Sequence, residues 1–323
     1  MKKTISVICA LLLVALAFAG CSGDKKNNDK RIVCTMFPQY DWVMEILGEE
    51  AKEWNVELLM QTGTDLHSFE PTAEDIIIID RSDLFIHVGG ESDEWVDDVL
   101  GQSENVGTVI NMLETLGDDA IMSEHEHDHG HEHEHEHEEE EEEHEHHDEH
   151  VWLSLHNAEL LCDVICDSIC EIDKDNEEIY RANSEKYINK INALDEKYHD
   201  TVENAKTNKL LFADRFPFAY MVDDYGLEYH AAFSGCSTES NATSETIDTL
   251  ISKLNEWDLD SVIVLEGSDK EIAETVIKGS RDKDQDIIVL NSLQSVTIVD
   301  IEKGADYIEL MEKNLDALND ALN

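Results

Sequence analysis

Apolar positions along this chain follow two different periods. Residues 31–35 (RIVCT), 56–60, 84–88 (LFIHV) and 108–111 (TVIN) are short runs rich in β-branched residues, which predict strands. Residues 40–47 instead repeat their apolar positions every three to four residues, which predicts a helix. A polar loop over 61–69 leads to a second helix opening at Thr72, with Asp75 three residues on as in a capping box. The second half repeats this alternation: strands are expected at 210–213, 228–233, 261–265 and 287–290, with helices between them and a closing helix from Glu302. Alternating strands and helices imply parallel sheets.

Between the halves lie two helical stretches, 154–170 and 175–205. The second carries an apolar stripe of Ile179, Tyr187, Ile188, Ile191, Leu194 and Tyr198 on an otherwise polar surface. At 1.5 Å per residue it would be roughly 45 Å long, enough to serve two lobes. The expected fold class is α/β, with two α/β lobes built on parallel sheets and joined by a long rigid helix. The expected division is 1–20, 21–30, an N-terminal lobe over 31–173, a linking helix over 174–206, and a C-terminal lobe over 207–323.

One segment breaks the pattern. From Glu124 to His150 the chain reads EHEHDHGHEHEHEHEEEEEEHEHHDEH, ten histidines up to His147 interleaved with carboxylates. Without apolar residues it has nothing to bury, so a solvated loop over 118–149 is expected within the first lobe. Solubility needs only Asp and Glu. Neutral imidazole is a common ligand for divalent metals, and this tract points to metal, zinc first.

The 323 residues include 41% hydrophobic side chains, enough for two cores. The formal charge of −52 is acidic even beyond the tract, which excludes nucleic acid as a partner and favours cations. Lys2 and Lys3 precede an apolar run over 5–19 that ends in Phe18, Ala19, Gly20 and Cys21. This is a signal peptide over 1–20. It resembles a bacterial lipobox, although Phe18 stands where Leu is usual. Cys21 would be the lipidated residue, residues 21–30 a tether, and the protein extracytoplasmic and anchored to the cell membrane. Cys162, Cys166 and Cys170 recur every four residues and read as buried free thiols on one helix face.

Ligands of such sheets bind beyond the carboxyl ends of strands. That rule selects His67, Asp214, Arg215, residues 235–239, Glu266 and Asn291. His150 is a further candidate, where the acidic tract meets the apolar segment VWL.

Several motifs point to one family. GTDLHSFEPT (63–72), SDLFIHVGG (82–90), EWV (94–96), the acidic His-rich loop and HVWLSL (150–155) resemble the zinc- and manganese-binding lipoproteins of ABC importers. RIVCTMFPQYDWV (31–43) and YRANSEKYINKI (180–191) resemble it too, so the likeness covers essentially the whole mature chain. It implies a periplasmic-binding-protein-like fold of the kind built on a helical backbone, with His67 and His150 as metal ligands. It also implies Zn2+ as the transported ligand, with Mn2+ as the alternative, and a permease and its ATPase as partners of a monomeric receptor.

The second lobe departs from the family. In ADRFPFAYMVDDYGL (213–227) Arg215 stands where relatives carry a ligand, and guanidinium cannot coordinate a metal. Asn291 in VLNSLQSV replaces the Asp of manganese-type members. Replacement ligands are expected among Glu266, Asp214 and Glu239, with Glu266 preferred because it ends the strand SVIVLEG. Three functions fit: a receptor delivering zinc to a permease, a lipid-anchored zinc buffer or chaperone, and an adhesin of the same fold. HExxH occurs only as part of the alternating His-rich tract, where no helix is expected to hold it, and no nucleophile elbow is present, so no enzyme is expected.

Overall fold

The computed structural model describes residues 30–117, 120–121, 147–235, 237 and 242–323. Cys21, most of the His-rich tract and Glu239 lie outside them. The first lobe runs β1 (Lys30–Cys34), α1 (Phe37–Leu47), β2 (Trp54–Leu58), α2 (Ala73–Asp80), β3 (Leu84–His87), α3 (Trp95–Leu100), β4 (Thr108–Asn111) and α4 (Met112–Leu116). Two helices follow, α5 (Leu155–Ile172) and α6 (Glu177–Glu203). The second lobe contains β5 (Lys209–Phe216), α7 (Ala219–Asp224), β6 (Glu228–Ser234), α8 (Ser244–Trp257) and β7 (Ser261–Leu265). It closes with α9 (Glu271–Gly279), β8 (Asp286–Leu290), α10 (Ile298–Glu302) and α11 (Tyr307–Leu322).

Each lobe holds a four-stranded sheet, ordered β2-β1-β3-β4 and β6-β5-β7-β8, and every pairing is parallel. Ile32 lies opposite Val56 and Leu84, and Ile86 opposite Ile110. Central strands read as nearly continuous apolar runs because helices cover both faces; β3 and β7 are buried at every position.

Helix α6 ties the lobes together. Its 27 residues span about 40 Å. Asn183 Nδ2 donates to Ile46 O on α1, and further along Tyr198 OH donates to Met311 O on α11. One apolar core runs through both lobes and includes Ile32 and Ile86, Phe212 and Ile263, and Tyr180, Tyr187 and Tyr198 of α6. Cys34, Cys162, Cys166 and Cys170 are buried free thiols in that core, the last three as expected from their helical spacing. Among the described residues no helix is long and apolar enough to cross a membrane.

Some boundaries differ from the sequence reading. Strand β2 starts at Trp54 and stops at Leu58, two residues earlier than expected at each end. Helix α1 begins at Phe37, not residue 40, because Gln39 closes a capping box with Met36 and Pro38 suits the first turn. The closing helix does not start at Glu302. Helix α10 ends there, Gly304 turns the chain at φ +98°, and α11 begins after the N-cap Asp306. The solvated loop expected over 118–149 does not reach its last two residues: Asp148 and Glu149 are 7% and 2% exposed and belong to the ordered lobe.

Candidate metal centre

His67 is presented by one turn of 3-10 helix, Leu66–Ser68, beyond the carboxyl end of β2. Leu66 anchors the turn in the core, and Asp65 caps it by accepting from His67 N at 3.0 Å. The following helix is capped as expected, with Thr72 and Asp75 bonded reciprocally.

His150 arrives from another direction. The next three residues, Val151–Leu153, bury a 3-10 turn of apolar side chains, and Ser154 then caps α5 through Asn157 N. His150 itself is fully buried. Gly235, just after β6, packs against it so closely that a Cβ there would lie 3.1 Å from His150 Cε1 and 2.6 Å from Phe216 O. The backbone of the second lobe therefore forms one wall of the His150 site.

The two imidazole centroids are 5.5 Å apart. Two imidazoles bound at about 2.0–2.1 Å to one tetrahedral ion would have ring centres roughly 5 Å apart. Each ring is held by its Nδ1. Asp148 Oδ1 lies 2.9 Å from His150 Nδ1 and also accepts His150 N–H. His67 Nδ1 lies 2.6 Å from Ser92 Oγ and 3.3 Å from Glu149 Oε2, and Ser92 Oγ donates to that same carboxylate oxygen. A carboxylate at Nδ1 fixes the tautomer in which Nδ1 carries the proton and Nε2 the lone pair. Both Nε2 atoms are buried and without a hydrogen-bond partner. Two basic nitrogens so arranged are suited to a cation.

The surrounding carboxylates are electrostatically committed. Burial pushes the Glu149 carboxyl up, but hydrogen bonds from His67 and from Ser92 Oγ and N outweigh it and hold it below the ordinary glutamate value. Asp65 behaves alike: burial raises it, while the hydrogen bond and charge of Arg215 bring it below the ordinary aspartate value. Glu149 also presses on Gly90, where φ is +78° and a Cβ would meet Glu149 Oε1 at 2.5 Å.

The second-lobe candidates are engaged elsewhere. Glu266 Oε2 accepts Ser292 N at 2.8 Å, and its Oε1 accepts Ser292 Oγ at 2.6 Å and Ser295 Oγ at 3.2 Å. Asp214 accepts Arg215 N and Leu265 N. Strand β5 runs on to Phe216, so Asp214 and Arg215 sit at the strand end, not in the loop beyond it. Asp214, Arg215 and Glu266 line a cavity of about 270 Å3 at the ends of β5 and β7. Among the described residues no three His, Cys, Asp or Glu side chains converge as a metal cluster. The structure thus sets the rings of His67 and His150 side by side, while Glu266 and Asp214 accept hydrogen bonds within the second lobe.

Sequence reasoning missed Asp148, Glu149, Ser92 and Asp65. The first two are the last acids of the charge run, and only their position beside HVWL distinguishes them from it. Ser92 carries no sequence signal. Asp65, two residues before His67 in a short polar loop, has the spacing of an Asx turn and was there to be read.

Two parallel-sheet lobes on a shared helix, with paired imidazoles where the lobes meet, give the architecture of a periplasmic-type binding protein. The chain belongs to the family described as zinc-uptake complex component A, periplasmic, whose model matches residues 32–321. The zinc-binding lipoprotein AdcA of Streptococcus pneumoniae serotype 4 is 32% identical over 322 residues, 98% of this chain and 60% of the relative. The high-affinity zinc uptake system protein ZnuA of Bacillus subtilis is 30% identical over 323 residues, 97% of this chain and 95% of the relative. The Zn(II)-bound ZnuA-like domain of the pneumococcal AdcA superposes with a TM-score of 0.70 at 27% identity, covering 91% of this chain and 99% of that one. The chain therefore spans about 60% of the length of the streptococcal AdcA proteins it matches.

Proposed function

We propose that this protein captures Zn2+ at the junction of its lobes and delivers it to an ABC-type permease and its ATPase. His67 and His150 hold the ion through Nε2. The observation that carries this reading is that pair of buried, unpartnered Nε2 atoms, each on a ring whose Nδ1 is engaged by a carboxylate or a carboxylate-bound hydroxyl. Two nitrogen donors favour zinc over manganese, which prefers more oxygen ligands. Within this reading the lobes divide at 174–206, the receptor is a monomer without catalytic activity, and Cys21 carries the lipid that keeps it outside the cell membrane. Glu239 remains a second-lobe carboxylate to test beside Glu266 and Asp214.

The test is zinc titration of the mature chain, intact and lacking residues 124–146, in competition with a chelator. One tight site is expected to survive the deletion while weaker ones vanish. The deletion stops at 146 because His147 and Asp148 belong to the folded lobe, Asp148 N donating to Ile121 O at 2.8 Å. Loss of the tightest site with the tract would overturn the assignment.

A further inference from the structure

His67 and His150 both stand on the first lobe, yet each is supported from the second. On the His67 side Arg215 pairs with Asp65, which caps the turn that carries His67. On the His150 side one hydroxyl reaches across. Tyr220 OH donates to Asp148 O at 2.8 Å and accepts Ile121 N–H at 3.2 Å. Asp148 N in turn donates to Ile121 O at 2.8 Å. Ile121 and Asp148 bracket the His-rich stretch in the sequence, so a single phenol on α7 ties the base of that segment to the second lobe.

The sequence builds this contact locally. Strand β5 ends at Phe216, and Pro217 and Phe218 lead into α7. Phe218 is fully buried and stacks on Phe212 with ring centroids 5.6 Å apart, which fixes where the helix begins. Tyr220, in its first turn, is buried as well, and burial holds the phenol well above the ordinary tyrosine value. The hydroxyl therefore keeps its proton and stays a donor. A tyrosine hydroxyl both donates and accepts, and here both bonds go to backbone at the root of His150. Asp148 passes the constraint on: its Oδ1 lies 2.9 Å from His150 Nδ1 and accepts His150 N–H at 2.9 Å. A group at the far nitrogen of a ligating imidazole orients the ring and sets its tautomer.

We propose that Tyr220 is a positioning residue for the cargo, through which the second lobe holds His150 by way of Asp148. This rests on the reading that His67 and His150 bind zinc. The Tyr220 bond and the Arg215 bond both cross between the lobes, so parting of the lobes would release the supports of both rings together. Zinc affinity is then tied to lobe closure by groups other than the ligands of the ion.

The test is competitive Zn2+ titration of the full mature chain carrying Tyr220→Phe, Asp148→Ala, both together, or His67→Ala, beside urea unfolding without metal. Tyr220→Phe keeps the buried ring and removes only the hydroxyl. It should weaken zinc by about tenfold, the lower end of the range for partners that orient a ligating imidazole. In the Asp148→Ala background the same change should cost less than about twofold, because the route to His150 is already cut and linked residues do not act additively. A merely structural tyrosine would lower stability in urea and leave zinc affinity at the parent's value, which overturns the proposal. An equal loss of affinity in both backgrounds overturns it too. If His67→Ala loses affinity while Tyr220→Phe binds like the parent, the Tyr220 assignment fails alone. If His67→Ala also binds like the parent, the metal-centre reading fails and takes this inference with it.

Discussion

Arg215 Nη1 on the second lobe donates to Asp65 Oδ2 on the first at 2.8 Å, and the other oxygen of Asp65 accepts the backbone N–H of His67 at 3.0 Å. A cation at the end of β5 thereby steadies the turn that presents the His67 imidazole. The resemblance places a ligand at position 215, so under the proposed function this chain has exchanged a bond to the ion for a bond to the support of His67. The pair is 30% and 29% exposed, and such pairs contribute only about 0–1 kcal/mol to stability. Its consequence is for binding, since a fixed positive charge near a dication is repulsive. Arg215→His should tighten zinc by on the order of tenfold, adding a donor and removing that charge. Affinity equal to or below the parent's, measured by chelator competition, would mean the end of β5 does not reach the ion.

His67→Ala and His150→Ala should both abolish tight binding but differ in stability. His67 stands on a turn held by Leu66 and Asp65 with its side chain 9% exposed, and its loss should lower the melting temperature less than that of His150. His150 is fully buried and bonded to Asp148, so its removal leaves a cavity and takes away the side-chain partner of that carboxylate. That should cost about 1–3 kcal/mol. Calorimetric zinc titration beside urea unfolding separates the two effects. Equal stability losses would contradict the burial difference.

Glu149→Gln tests the support of His67. Glu149 accepts from Ser92 Oγ and N and lies 3.3 Å from His67 Nδ1, so it sets both ring orientation and tautomer. The amide keeps the shape but not the charge. Partners of this kind typically alter metal affinity by about 10–100-fold, and a loss in that range is expected with the fold intact. Binding unchanged within error would reduce Glu149 to a packing role.

Much of the fold was legible because parallel sheets buried on both faces write long apolar runs into the chain, as LFIH of β3 and SVIVL of β7 do. Element ends were less so. The stop of α10 depends on Gly304 at φ +98°, and the extension of β5 to Phe216 depends on pairing with β6, which no local period records. His67 and His150 were singled out by loop position and motif, and the structure sets their rings 5.5 Å apart. Glu266 ends its strand as read, but which groups its oxygens meet depends on Ser292 and Ser295, which fold back across 26 and 29 residues to donate to them. Asp148 and Glu149 were hidden by composition, two ordered acids at the edge of a run of chemically identical ones.

Asp41 should make stability fall as pH rises. It sits on α1 where three elements meet, accepting from Tyr187 OH on α6 and from Tyr307 N at the start of α11, each at 3.1 Å. Burial pushes its carboxyl up to about 7, against the lowering effect of those two hydrogen bonds. The folded protein therefore keeps a proton that the unfolded chain has released above its ordinary pKa near 4. Folded binds more protons than unfolded in that interval, so stability is fully present below pH 4, declines up to about 7, and levels off beyond. The total would be on the order of a few kcal/mol. Other acids titrate in the same range, so the measurement is a difference: urea unfolding of the parent and of Asp41→Asn at several pH values. Asp41→Asn should flatten the curve and close most of the gap at neutral pH. Two curves parallel from pH 4 to 8 would show that Asp41 is charged throughout, and that the junction of the lobes is held by a buried carboxylate.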